Sequence, residues 1–144
     1  MTPTKRTLKL ASLKADLERE KKGDWIPFPD WEGVKFKVSA LTTPEYETAR
    51  GLMFQRVGKI YGDEKIPTDV INAELGALYA EHILHGWEGM DEEYTPELAL
   101  ATLSDPGYRV LVQAIGWCAS KISQIEVAYT VAEEGNSSPP SVTD

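Results

Sequence analysis

The chain has 144 residues, 42% hydrophobic and 26% charged, which predicts one globular domain with a real core. No run approaches the ~20 apolar residues of a membrane-spanning helix, and Met1–Lys22 lacks the apolar stretch of a secretory leader. The net charge of −8 is uneven, +4 over residues 1–23 and −12 over the rest, and an acidic body argues against a nucleic-acid-binding domain.

The basic arm at residues 1–23 is expected to be partly ordered. Leu10, Leu13 and Leu17 lie at helical spacing, and Gly23 ends that short amphipathic helix. Residues 24–134 form the expected single globular domain, beginning with a β-hairpin over 24–41. Trp25, Ile26 and Phe28 make an extended run, which Pro27 and Pro29 confine to a sheet edge because they donate no ladder hydrogen bonds. Pro29 through Gly33 supplies the turn. Val34, Phe36 and Val38 then alternate with Lys35, Lys37 and Ser39, the period of a half-buried strand.

Helices are expected over 44–131. Thr43-Pro44-Glu45 is a start signal, with a hydroxyl at the N-cap and proline in the first turn. Tyr46, Ala49, Met53, Val57 and Ile60 give the first face, and Gly62, Asp63 and Pro67 break it. Thr68 caps a second helix with the face Ile71, Leu75, Leu78, Tyr79, His82 and Ile83, closed by Gly86. Thr95-Pro96-Glu97 opens a short helix through Leu103. Asp105-Pro106 opens the longest, whose stripe is Tyr108, Leu111, Ile115, Cys118, Ile122, Ile125 and Tyr129, with Val110, Ala114 and Trp117 beside it. Residues 135–144 are polar and Pro/Ser-rich, an expected disordered tail. The fold class is mainly α (α+β): a helical body of about four helices with an N-terminal β-hairpin. The tetrapeptides Trp31-Glu32-Gly33-Val34 and Trp87-Glu88-Gly89-Met90 echo each other, but the surrounding periods differ and the echo reads as coincidence.

No catalytic constellation is legible, so no enzyme is expected. His82 and His85 lie three apart beside Glu81, but the His-Glu-x-x-His order is absent and no further ligand converges, so no metal is expected. Cys118 is the sole cysteine, which excludes an internal disulfide and fits a reducing compartment. It sits inside an apolar stripe, where a thiol is inert. No glycine-rich loop lies between a strand and a helix, and no cofactor is expected. The large aromatics either cover the helical core or anchor a partner. Trp31, Phe36 and Trp87 are the candidate partner-binding residues.

Two stretches carry a family resemblance. The first is Gly-Asp-Trp-Ile-Pro-Phe-Pro, Gly-Val-Lys-Phe-Lys-Val-Ser-Ala-Leu and Thr-Pro-Glu-Tyr within residues 23–46. The second, His82 to Leu103, holds Gly-Trp-Glu-Gly-Met, an acidic loop and Tyr-Thr-Pro-Glu-Leu-Ala, followed by a Ser-Asp-Pro step. With the helices they flank, they cover roughly residues 10–130 and resemble the tail assembly chaperones of long-tailed bacteriophages and prophages. The resemblance implies a non-enzymatic assembly factor of the bacterial host cytoplasm, absent from the mature virion. Its partners would be the tape-measure protein, which it keeps soluble, and the tail-tube protein, with no nucleic acid and no membrane. Self-association is a further expectation, since a surface built for an apolar client pairs with itself. Many such proteins also occur in a longer, frameshifted form. The alternative from another class is a small structural tail or connector component of the virion.

Overall fold

Proline placement decides the sheet. In the computed structural model, which describes residues 5–132, strand β2 (Asp24–Pro27) pairs antiparallel with β3 (Lys35–Val38), and β3 pairs on its other side with β4 (Leu84–Glu88). Pro27 has no N–H, and β2 accordingly takes the outer position in the order β2-β3-β4. The third strand departs from the sequence reading, in which a helix runs on to Gly86. That helix stops at His82 and the chain passes straight into β4. Leu84, Gly86 and Trp87 are buried there because the second edge of β3 offers them ladder partners and a core face. Gly86 stands opposite Lys37, with the Trp25 ring only 3.2 Å from where a Cβ would sit.

Among the described residues five α-helices complete the α+β fold: α1 (Leu17–Lys22), α2 (Pro44–Tyr61), α3 (Thr68–His82), α4 (Pro96–Leu103) and α5 (Arg109–Ile122). Side-chain caps start two of them, α1 and α4, whereas Thr43 makes no side-chain cap bond at α2 and Pro67, not Thr68, precedes α3. Asp16 accepts from the Arg19 N–H at 3.1 Å, and Thr95 accepts from the Leu98 N–H at 3.0 Å. Gly23 ends α1 at φ 83°, where a Cβ would lie 2.6 Å from the Val38 carbonyl oxygen, so both backbone and space require glycine. The core gathers Phe36 and Val38 from β3, Ile83 and Leu84 at the entry to β4, Leu103 from α4, and Ile115, Cys118 and Ile122 from α5. On α2, Tyr46, Met53 and Val57 are buried as the helical period requires, but Ile60 at the end of that stripe is 67% exposed.

The last helix is shorter than expected, and this corrects the reading of helices through 131. α5 ends at Ile122, and Tyr108, Ile125 and Tyr129, the outer members of its supposed stripe, are exposed. Residues Tyr129–Ala132 form β5, antiparallel to β1 (Lys5–Leu8) in the register Lys5↔Ala132 to Leu8↔Tyr129. Ile125, Val127, Tyr129 and Val131 alternate with Glu126, Ala128 and Thr130. That β-branched alternation of period two prevails over the three- and four-residue steps that the same residues also satisfy.

Contacts divide the chain into two units, one over Asp16–Ser123 and one joining the chain up to Ala15 with the chain from Gln124. The division falls at Asp16 and not at Gly23, so α1 belongs to the larger unit. In the smaller unit, the Lys9 N–H donates to the Ala128 carbonyl at 2.8 Å and the Arg6 guanidinium lies 4.4 Å from the Tyr129 ring centroid. Leu10–Leu13 form a single 3-10 turn, separate from α1, in place of one helix through Leu17. The tail expected at 135–144 lies outside the described residues. Among the described residues no helix is long and apolar enough to cross a membrane.

Candidate functional site

The loop between β2 and β3 is tied by its own backbone. The Phe28 N–H donates to the Val34 carbonyl at 3.0 Å, the Trp31 N–H to Phe28 at 3.2 Å and the Val34 N–H to Trp31 at 3.1 Å. These bonds hold the Phe28 and Trp31 rings edge to face, with centroids 4.8 Å apart and planes at 65°. Facing them, Val110, Gln113, Ala114 and Trp117 recur along α5 at the spacing that places residues on one helix face. Phe28 meets Trp117 edge-on at 5.6 Å and 80°.

Between loop and helix lies a cleft of about 410 Å³, walled by Phe28, Pro29, Asp30 and Trp31 on one side and Val110, Gln113, Ala114 and Trp117 on the other. Trp117 is 38% exposed and Val110 56%. The Lys121 Nζ sits 4.7 Å from the Trp117 ring centroid and does not line the cleft. Large aromatics left in a surface cleft are the usual anchors of protein docking.

Of the three residues singled out from the sequence, only Trp31 lines this cleft. Phe36 is fully buried, since on β3 it points inward with Val38 and with Val34 just before the strand, and no partner reaches it in the folded chain. Trp87 is buried to 9% exposure, its Nε1–H donating to the Glu92 carbonyl at 2.8 Å and its ring edge-on to Tyr94 at 5.3 Å. Both belong to the core. Trp117 was visible in the sequence only as bulk beside the α5 stripe. Its signal was the spacing from Val110 through Gln113 and Ala114, which defines a second face of α5.

A wider hollow of about 630 Å³ lies where α3, β4 and α4 meet, with His82, His85, Tyr94 and Glu97 among its walls. The two histidines do not share a helix face, because His82 ends α3 and His85 is on β4. His85 Nε2 lies 3.1 Å from Ser39 Oγ, which donates to the His82 carbonyl at 3.0 Å. Desolvation and, secondarily, the Lys37 charge hold His85 below the ordinary histidine value. Among the described residues no three His, Cys, Asp or Glu side chains converge to hold a metal ion. The Cys118 thiol is fully buried, and burial pushes it up to about 11, so thiolate is scarce at neutral pH.

A family model described as YdaY prophage protein matches residues 41–136, two thirds of the chain. The match includes the α5 wall of the cleft and stops short of the Phe28–Trp31 wall. No curated protein and no solved structure matches the chain.

Proposed function

The chain belongs to the YdaY family of prophage proteins, and from that premise we propose that it is a prophage tail assembly chaperone. In this reading it binds the tape-measure protein, keeps it soluble and helps recruit tail-tube subunits, and it turns over no substrate. It acts in the cytoplasm of the bacterial host and is left behind by the finished virion. The observation that carries the reading is the cleft between the β2–β3 loop and α5, with Phe28, Trp31 and Trp117 around it. A tape-measure protein is long and helical, and an amphipathic helix lays its apolar residues into a groove of this kind. An acidic body, −12 outside the basic arm, keeps such a complex from coalescing.

Co-expression with the tape-measure protein of the same prophage tests the proposal. That protein should become more soluble and co-purify with this chain, and Trp117→Ala should reduce both effects. Unchanged solubility would sink the reading.

A second reading, a small structural tail or connector component, is favoured by one observation. The β1·β5 ribbon has only two strands among the described residues, and its Leu8, Tyr129 and Val131 side chains are exposed. Such a ribbon is marginal by itself and suits incorporation into a larger sheet. Recovery of the chain from mature tails would select this reading over the first.

A further inference from the structure

We propose that the cleft between the β2–β3 loop and α5 recognises a cation, specifically an arginine side chain carried on an amphipathic helix. The identity of the helix rests on the chaperone reading; the chemistry of the cleft does not.

The inference starts from Asp30. Asp30 is an exposed acid of the β2–β3 loop and is among the residues that wall the cleft, between Phe28 and Trp31. Four described acids have cationic partners, Asp24 with Arg19, Glu18 with Lys22, Glu74 with Arg56 and Glu88 with Lys35. Among the described residues no ion pair involves Asp30. Arg109 precedes Val110 and Lys121 follows Trp117 by one turn, yet neither lines the cleft, and Glu32 adds a second acid on the loop. An apolar side chain entering beside Asp30 would displace some of its water and offer no hydrogen bond in return. A cation would satisfy it.

The rings supply the second requirement. Phe28 stands at 65° to Trp31 and 80° to Trp117, so the three do not stack and their faces point in different directions. A corner of ring faces beside a carboxylate is a setting that attracts cations. Trp117 already behaves this way, since its ring holds the Lys121 ammonium at 4.7 Å. Arginine fits better than lysine, because a planar guanidinium stacks on an indole and meets a carboxylate through two parallel N–H groups.

Two 18-residue amphipathic helical peptides, identical but for one central arginine or its neutral isostere citrulline, provide the probe. Each is titrated into the full chain while the indole N–H resonances of the four tryptophans are followed. The arginine peptide should bind at least about fivefold more tightly and should move the Trp31 and Trp117 signals. Asp30→Asn should bring the ratio of affinities close to one. The Trp25 and Trp87 signals should stay in place in that variant, which reports an intact fold. Equal affinity for the two peptides would overturn the proposal, as would an arginine preference that survives Asp30→Asn or shifts confined to other tryptophans. An arginine preference seen without any effect on tape-measure solubility would retain the cleft chemistry and remove the chaperone reading.

Discussion

Replacing Gly76 by alanine should destabilise the protein, against the usual direction for a glycine inside a helix. Gly76 is buried in the middle of α3. Elsewhere, Gly→Ala in a helix gains roughly 0.5–1 kcal/mol from reduced backbone freedom in the unfolded chain. Here an added Cβ would overlap the Leu103 carbonyl oxygen, lie 2.6 Å from its carbonyl carbon and touch Val112 Cγ2 at 3.4 Å. The obstacle is the backbone at the end of α4, which cannot rotate aside as a side chain can. α3 and α4 must separate, and overpacking of this kind costs about 1–3 kcal/mol or more. The net loss should be about 1–2 kcal/mol. Gly51 and Gly58 on α2 are internal controls, because a Cβ at either meets nothing within 4 Å. Gly51→Ala and Gly58→Ala should therefore stabilise by roughly 0.5–1 kcal/mol. In urea, with slopes of about 1–3 kcal/mol/M, the midpoints of G76A and G51A should differ by on the order of 1 M. A G76A midpoint equal to or above wild type would refute the close approach of α3 to α4.

Ile122→Ala should cost about 2–5 kcal/mol by chemical denaturation, since Ile122 is 2% exposed at the buried end of α5; a change under about 0.5 kcal/mol would place it outside the core. Trp117→Ala should lower the denaturation midpoint far less than Ile122→Ala while abolishing most tape-measure co-purification, because the ring is partly exposed. The Cys118 thiol, raised to about 11 by burial, should react with iodoacetamide at pH 8 at least about a hundredfold more slowly in the folded than in the urea-unfolded chain. The same shift has a sign for stability. Between an unfolded value of 9.0 and about 11 the folded thiol keeps a proton that the unfolded one releases, so stability should fall as pH rises through that window. Cys118→Ala, compared by urea midpoints across it, should flatten that component.

The parts of the fold legible in the sequence are those set by local chemistry. Pro27 alone places β2 at an edge, and Thr95 announces α4 through its own hydroxyl. β4 was not legible because its strand character comes from β3, which lies about fifty residues earlier. Read alone, Ile83-Leu84 looks like the apolar end of a helix. β5 was missed for another reason: Ile125 and Tyr129 satisfy a helical step and a strand alternation at once, and only Val127 and Val131 break the tie. Half of the candidate cleft was open to inspection in Trp31. Phe36 lies in the core, the direction that the Val34-Phe36-Val38 alternation implies. The Trp-Glu-Gly echo has a physical side. Lys35 pairs with Glu88, and a Cβ at Gly89 would stand 2.9 Å from the Val34 Cα, so the two segments meet where backbones must pass closely.

The pairing of β1 with β5 also sets a timetable for biosynthesis. The partners of Lys5–Leu8 are among the last of the described residues to be made. At ~5–20 residues per second, the first strand waits about 6–25 s for its complement. The Asp16–Ser123 unit has its own core and needs nothing from β5, so it can form during translation. Closure of the ribbon follows as a separate and later event, with the long loop already shortened by the folded unit within it.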